Sequence, residues 1–266
     1  MKIGVFDSGL GGLTVVKELA ALIKGAEIYY VADTKHAPYG EKTPEQIIQY
    51  SLNITQYLID THQIDALIVA CNTATSAAIR RLRERYPSLI ILGTEPGIKP
   101  AIQSTKTKNI GVLATPATLK GEKYQQLVSV LSAQAHEKIN LFEQACPGLV
   151  EQIERGDIQS PKTKEMLYAW LKPMLKNHVD TIVLGCTHYP LVGPLIEEIM
   201  HHKVRLIETG GAIARHLLCQ SEAKGHINEG PLRIFLYATG EIQTQMIEHI
   251  IKQHEPLERI DIDNYN

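Results

Sequence analysis

The chain has 266 residues, of which 44% are hydrophobic, so it can bury a substantial core and is long enough for two small domains. Its net charge of −2 gives no long-range attraction to nucleic acid, and no run of about 18 apolar residues indicates a membrane span. Four cysteines are too few for a disulfide framework at this length, so we expect free thiols and a cytoplasmic protein that binds neither membrane nor nucleic acid.

Apolar, β-branched segments alternate with helical patterns along the whole chain. The first part of the pattern predicts, in order, strand Ile3–Phe6, helix Leu13–Ile23, strand Ile28–Ala32, helix Pro44–Ile59, strand Ala66–Ala70, helix Thr73–Arg85 and strand Leu89–Leu92. The second part predicts strand Ile110–Leu113, helices Gly121–Ala133 and Pro161–Lys176, strand Thr181–Leu184, helix Pro190–Met200, strand Val204–Ile207, helix Ala212–Cys219, strand Leu232–Leu236 and helix Glu241–Lys252. This alternation is typical of an α/β fold with mainly parallel sheets flanked by helices.

Two pairs of segments echo each other at similar spacing. Ile3–Ser8 (IGVFDS) resembles Ile110–Thr115 (IGVLAT), and Ile68–Thr73 (IVACNT) resembles Val183–His188 (VLGCTH). We therefore predict two related α/β domains that face each other across a shared cleft. The first domain is predicted to comprise residues 1–96 plus 209–266, and the second residues 97–208.

The second echo places one cysteine, Cys71 or Cys186, at the end of an apolar strand in each half. Ligands of open parallel sheets bind beyond the carboxyl ends of the strands. If the two halves face each other by these ends, both thiols line one cleft. Two opposed thiols suit a reaction that removes a proton from one face of a carbon and returns one to the other face.

Each feature also has a purely structural interpretation. Gly9–Gly12 matches neither dinucleotide nor phosphate-loop patterns, and most such strand-to-helix turns are structural, although the helix start can bind a carboxylate. Asp7 can cap that helix or can orient and deprotonate Cys71. Cys146 and Cys219 fit inert, buried thiols.

His188, two residues after Cys186, can be read as a metal ligand or as an acid–base partner of the thiol. No further ligands stand at zinc-binding spacing, so we expect no metal and favour the acid–base role. No lysine stands beside either cysteine segment to form a Schiff base with pyridoxal phosphate, so we also expect no pyridoxal phosphate.

Four motifs in order resemble those of the glutamate racemase family, within the aspartate/glutamate racemase superfamily. They are Asp7–Gly12 (DSGLGG), Pro38–Gly40 (PYG), Cys71–Thr75 (CNTAT) and Gly185–Pro190 (GCTHYP), and the resemblance runs from Ile3 to about Arg215. It implies two pseudo-twofold-related α/β domains, each a mainly parallel sheet flanked by helices, with the active site in the cleft between them. It also implies cofactor-independent interconversion of L- and D-glutamate, which supplies D-glutamate for peptidoglycan. It also implies a homodimer.

The resemblance implies roles for individual residues. Cys71 and Cys186 match the two catalytic bases, Asp7 the carboxylate that assists the first and His188 the histidine that assists the second. The matching substrate-binding positions are Ser8, Tyr39, Gly40, Asn72, Thr73, Thr115, Thr118 and Thr187. After Cys146-Pro147 the chain departs from the commoner family pattern, and the alignment makes Glu154, rather than Glu151, the candidate site carboxylate.

Other functions are compatible with the same residues. A thiol enzyme of this superfamily can instead racemise aspartate, isomerise maleate or catalyse a decarboxylation, although Asn72–Thr75 look more like glutamate than aspartate racemases. A protein-binding role is a second alternative, since some racemases of this family bind DNA gyrase. A dithiol redox protein fits less well, because no Cys-x-x-Cys is present.

Overall fold

The computed structural model describes residues 1–134, 138–226 and 230–263. The predicted helix Ala212–Cys219 and strand Leu232–Leu236 lie within this part of the chain, and so does every candidate site residue. None of the helices in these ranges combines the length and the apolar character needed to cross a membrane.

The elements follow one another as strand and helix. Up to residue 134 they are β1 (Lys2–Asp7), α1 (Leu13–Leu22), β2 (Glu27–Ala32), a 3-10 turn (Tyr39–Glu41), α2 (Pro44–His62), β3 (Ala66–Val69), α3 (Asn72–Arg85), β4 (Ile90–Gly93), α4 (Ile98–Ser104), β5 (Asn109–Ala114), α5 (Pro116–Lys120) and α6 (Glu122–Gln134). They continue with β6 (Asn140–Ala145), α7 (Leu149–Glu154), α8 (Pro161–Lys176), β7 (Thr181–Gly185), a 3-10 turn (Tyr189–Val192), α9 (Gly193–Ile199), β8 (Arg205–Ile207), α10 (Gly210–Ala223), β9 (Arg233–Ala238), α11 (Thr244–Ile250) and β10 (Glu258–Arg259).

The chain divides into two compact units. One comprises Met1–Thr94 with Gly210–Asn266, and the other comprises Glu95–Thr209. In the first unit, a six-stranded sheet has the order β10-β9-β2-β1-β3-β4; in the second, a four-stranded sheet has the order β6-β5-β7-β8. Every pairing is parallel. The predicted α/β class, with parallel sheets flanked by helices, is confirmed.

The central strands are buried on both faces, as their apolar composition predicts. In β1 every residue from Ile3 to Asp7 is buried, and all of β3 and β7 is buried. The packing around β5 is close at Gly111, where an added Cβ would lie 2.6 Å from the sulfur of Met174. Such packing fixes the level at which each strand ends, and therefore the positions of the residues that follow it.

Several elements were not predicted from the sequence. The edge strand β6 (NLFEQA) contains no continuous apolar run, because its residues are at best partly buried. β10 has only two residues, and the helices α4, α5 and α7 have five to seven. The helix predicted over Pro190–Met200 is confirmed over Gly193–Ile199 as α9, whereas its first residues belong to a 3-10 turn. Short elements carry too few residues for a periodic signal.

Candidate active site

In the first unit, the polar residues after β1 and β3 lie at the same edge of the sheet. The two strands pair in parallel with Phe6 opposite Val69, so Ser8 and Cys71 follow at similar levels. Cys71 Sγ lies 3.9 Å from Ser8 Oγ, and both side chains are buried. The prediction that polar residues at the ends of neighbouring strands lie close together therefore holds for Ser8 and Cys71.

Cys71 is the N-cap of α3. The helix begins at Asn72, and the amide of Ala74 donates to Cys71 Sγ at a distance of 3.4 Å. Free amide groups and the positive end of the helix dipole favour negative charge at this position. A cysteine at a helix N-terminus is therefore suited to react as the thiolate.

Asp7 is fully buried at the end of β1, and its Oδ2 accepts a hydrogen bond of 2.9 Å from the amide of Gly12, the N-cap of α1. A Cβ at Gly12 would lie 2.7 Å from Asp7 Cβ, so only glycine lets this turn approach the carboxylate so closely. The structure thus shows the helix-start contact of Asp7. Asp7 also lies near enough to Tyr39 that its charge contributes to the raised pKa of that phenol.

Tyr39 lies within the hydrophobic cluster that also contains Cys71 and Ala74, and Gly40 follows it in the 3-10 turn. Its hydroxyl donates to Asp33 Oδ2 at 2.5 Å. Burial, then the charge of Asp33 and this hydrogen bond, hold the pKa of Tyr39 well above its usual value. The phenol is therefore a fixed hydrogen-bond donor to Asp33.

Asn72 and Thr73 open α3 directly beside Cys71, and both are buried. The side-chain nitrogen of Asn72 is buried without a hydrogen-bond partner, one of two such side-chain atoms in the described part of the chain. A buried donor without a partner costs about 1–3 kcal/mol. A free amide donor next to a thiol is the arrangement expected where a ligand supplies the missing acceptor.

In the second unit, β5 and β7 pair with Ala114 opposite Gly185, so Thr115 and Cys186 follow at the same edge. Thr115 is the N-cap of α5: its Oγ1 accepts from the amide of Thr118 at 3.2 Å, and its hydroxyl donates to Thr118 Oγ1 at 2.9 Å. An added Cβ at Gly185 would lie 2.9 Å from Ala114 Cβ. The glycine before the cysteine therefore keeps β7 close to β5.

Cys186, His188 and Glu154 form a row of polar groups. His188 Nδ1 lies 3.7 Å from Cys186 Sγ and 3.4 Å from Thr187 Oγ1, and its Nε2 lies 2.5 Å from Glu154 Oε1. The imidazole is 1% exposed and the side chain of Glu154 is 23% exposed. The candidate carboxylate Glu154, at the end of α7, thus reaches the histidine, whereas Glu151 lies in the first turn of that helix.

The neighbours of His188 in this row raise the pKa of its imidazole. Burial by itself lowers the pKa of His188, but its hydrogen bonds to Cys186 and Glu154 and the charge of Glu154 outweigh burial, so the pKa stands well above its usual value. An imidazolium at this distance can stabilise negative charge on sulfur or pass it a proton.

The other two cysteines differ from each other. Cys146 is buried, and burial raises the pKa of its thiol to about 12, so it stays protonated and inert, as predicted. Cys219 is exposed, which corrects the prediction that it is a buried thiol. It lies two residues after the buried Leu217 on α10, and therefore on a different side of the helix.

Sequence reasoning missed two buried polar residues near these sites. Asp33 directly follows β2 and is fully buried, so the rule for strand ends could have found it. Tyr189 is fully buried beside the second site, with its hydroxyl 3.5 Å from the carbonyl oxygen of Cys146. Within residues 1–134, 138–226 and 230–263, no group of three or more His, Cys, Asp or Glu residues is arranged to hold a metal ion.

Comparison with known proteins identifies the family. The family model described as Asp/Glu/Hydantoin racemase matches residues 3–217. The chain is 64% identical over 266 residues to "Glutamate racemase" of Sulfurovum sp. (strain NBC37-1), covering 100% of both chains. Among solved structures, glutamate racemase RacE1 of Bacillus anthracis has a TM-score of 0.86 at 28% identity, covering 97% of each chain. Glutamate racemase of Francisella tularensis in complex with D-glutamate has a TM-score of 0.84 at 26% identity, covering 99% of this chain and 98% of that one. The chain therefore belongs to the Asp/Glu/hydantoin racemase family.

Proposed function

We propose that the chain interconverts L- and D-glutamate without a cofactor, with Cys71 and Cys186 as the two acid–base groups. The reaction itself follows from the family and from the full-length relative of 64% identity. The assignment to these two residues is supported by one observation above all. Each of the two compact units presents one buried cysteine beyond the end of a central strand, β3 or β7, next to a polar partner.

The chemistry of these groups suits proton transfer at Cα. An amino-acid Cα–H is a very weak acid, so its removal needs a base held at contact distance and donors that stabilise the developing negative charge. One cysteine reacts as thiolate and takes the proton, while the other reacts as thiol and donates one to the opposite face. The bond from Cα to hydrogen breaks on one side as a new one forms on the other, and the two sulfurs finish with exchanged protonation states.

The two cysteines differ in how their charge is supported. Cys71 caps α3, so the helix N-terminus favours its thiolate. Cys186 depends on His188, whose raised pKa favours the protonated ring. Glu154 then acts as a positioning residue for His188, and Asp7 is proposed to assist Cys71.

We assign substrate binding to neutral donors around the two thiols. The strongest support is for Asn72, because its buried side-chain nitrogen lacks a protein partner. The further candidates are Ser8, Thr73, Thr115, Thr118, Thr187 and the backbone of the turn formed by Tyr39 and Gly40, since the Tyr39 hydroxyl already donates to Asp33. Neutral donors bind a carboxylate without the excessive ground-state stabilisation that a full positive charge would bring.

We also propose that residues 1–96 plus 209–266 and residues 97–208 act as two domains that close on the substrate. Closure would expel water and strengthen each polar contact inside the site.

We place the enzyme in the cytoplasm, where free thiols persist, and propose that its D-glutamate is used for peptidoglycan. A homodimer is the oligomer we expect, which light scattering of the purified chain would test.

Chiral chromatography after incubation with L-glutamate, with no cofactor added and a chelator present, tests the activity. We expect D-glutamate to accumulate until the two enantiomers are present in equal amounts, with D-aspartate formed from L-aspartate far more slowly.

Cys71→Ala and Cys186→Ala should each lower the rate of glutamate racemisation by about 10²–10⁴-fold, the usual contribution of a general acid or base. Cys219→Ala is the matched control, because this thiol is exposed and belongs to neither site. Substantial racemisation by either of the first two variants would refute the two-thiol assignment.

A further inference from the structure

The segment after β10 lies against the part of the first unit that carries Tyr39. The amide of Ile260 donates to the carbonyl of Ala238 at 3.0 Å, which continues the pairing of β10 with β9. Ile262 is 1% exposed and belongs to the same hydrophobic cluster as Tyr39. Its carbonyl accepts a hydrogen bond of 3.2 Å from Asn53 Nδ2 on α2. This segment, Ile260–Asp263, is therefore packed onto the domain.

Asp263 contacts two side chains at the start of the loop between β2 and α2. Its Oδ2 accepts from Lys35 Nζ, and its Oδ1 lies 3.2 Å from His36 Nε2. The pair with Lys35 is between two side chains that are 47% and 41% exposed, so it contributes little. His36 is 13% exposed, so its contact with Asp263 is the one able to transmit a positional constraint.

His36 connects Asp263 to the interior. Its other ring nitrogen, Nδ1, lies 2.9 Å from Asp33 Oδ1, and its ring stacks on Tyr50 with centroids 3.9 Å apart. Asp33 in turn accepts from the hydroxyl of Tyr39, and its other oxygen accepts from Thr239 Oγ1 at 2.7 Å. A continuous series of polar contacts thus runs from Asp263 through His36 and Asp33 to Tyr39.

We propose that Asp263 is a positioning residue for substrate binding, which acts through His36 and Asp33 on the turn formed by Tyr39 and Gly40. The inference rests on the proposed function, in which this turn contacts glutamate. A loop that is held in its binding conformation loses less conformational entropy when the substrate binds. These contacts hold the substrate-binding turn and touch neither proton-transferring cysteine. Their loss should therefore raise KM more than it lowers kcat.

Steady-state kinetics in both directions test the proposal. Asp263→Ala should raise KM about three- to fivefold, the range expected from a partly exposed charged contact, with kcat changed less than about twofold. Asp263→Glu should restore most of the loss. Glu241→Gln is the matched control, because it removes a 3.3 Å ion pair to Arg259 on β10, directly before the Ile260–Asp263 segment, and leaves the His36 contact in place. Equal KM values for Asp263→Ala and Glu241→Gln would overturn the proposal, as would a fall in kcat at constant KM.

A double-mutant cycle tests the route. In a Tyr39→Phe background, which lacks the hydroxyl that reaches Asp33, Asp263→Ala should raise KM by clearly less than it does in the wild type. Full additivity of the two substitutions would show that Asp263 does not act through Tyr39.

Amide hydrogen exchange over residues 34–42 provides a readout that does not depend on activity. Exchange should accelerate in Asp263→Ala and stay at the wild-type rate in Glu241→Gln. Accelerated exchange in a protein that does not racemise glutamate would locate the error in the proposed function. Unchanged exchange in an active enzyme would locate it in the positioning role of Asp263.

Discussion

His188 Nε2 lies 2.5 Å from Glu154 Oε1, and this contact joins the end of α7 to the turn that follows Cys186. The carboxylate is one of the two groups that raise the pKa of the buried imidazole, and the other is the thiol of Cys186. One of the two groups that favour a charged ring beside the second cysteine therefore comes from a residue 34 positions earlier in the chain.

Replacing Glu154 should make both stability and activity depend differently on pH. Because the folded-state pKa of His188 is raised, its stabilising contribution is complete below the unfolded value of about 6.5 and is lost as the pH rises through the folded pKa. Glu154→Gln should cost about 1–3 kcal/mol of unfolding free energy at pH 6 and clearly less at alkaline pH. Urea unfolding of both proteins across this pH range measures the difference.

The same substitution should move the alkaline limb of kcat/KM to lower pH by about one unit, since the protonated ring loses its carboxylate partner. Glu151→Gln is the control, since Glu151 lies one turn earlier on the same helix. A pH profile shifted equally by both substitutions would contradict the assignment of Glu154.

Replacing one of the two cysteines with serine should leave proton abstraction by the other cysteine intact. With a glutamate analogue that carries a leaving group on Cβ, each variant, Cys71→Ser or Cys186→Ser, should catalyse elimination from only one enantiomer, because only one base remains. The two variants should prefer opposite enantiomers, while racemisation of glutamate falls by about 10²–10⁴-fold in both. Elimination from both enantiomers by a single variant would point to one shared base.

In the wild-type enzyme, proton transfer by two separate groups predicts a pattern of isotope labelling. During the reaction in deuterated water, deuterium should appear at Cα of the product before it appears in the remaining substrate. Proton NMR of both enantiomers at early times measures this order. Equal labelling of both pools from the start would indicate a single base.

Asn72→Ala should separate stability from binding. The side-chain nitrogen is buried without a protein partner, so its removal should change the unfolding free energy by less than about 1 kcal/mol and can stabilise the apo protein. KM should rise about 5- to 100-fold, because the substrate loses a buried donor. Thermal unfolding together with steady-state kinetics provides the measurement, and a large destabilisation without any change in KM would contradict the binding role.

Gly12→Ala should disturb Asp7. The added Cβ would lie 2.7 Å from Asp7 Cβ and 2.9 Å from the ring of Tyr30, so the turn must shift. We expect a loss of about 1–3 kcal/mol in stability and a fall in kcat, since the carboxylate moves with the turn. Gly193→Ala is the matched control, because its Cβ would meet only Leu206 Cδ1 at 3.4 Å. Unchanged kcat in a folded Gly12→Ala enzyme would exclude a catalytic role for the position of Asp7.

Much of the architecture was predictable from local patterns. The inner strands were found because residues buried on both faces must be apolar, as in β3, where Ala66 to Val69 are all buried. The edge strand β6 escaped because solvent reaches it, so its sequence keeps Glu143 and Gln144. Cys219 was assigned to the interior from residue type alone, although the orientation of α10 decides its exposure.

The order of residues along the chain by itself determined the parallel α/β class, the strand ends that carry Cys71 and Cys186, and the family. These properties depend on burial and on short motifs, which are local in sequence. Only the tertiary structure showed that Glu154 contacts His188, that the side-chain nitrogen of Asn72 is left without a partner, and that Asp263 reaches Tyr39 through His36 and Asp33. Such contacts join residues far apart in the chain, and their strength depends on distance and burial, which no local pattern encodes.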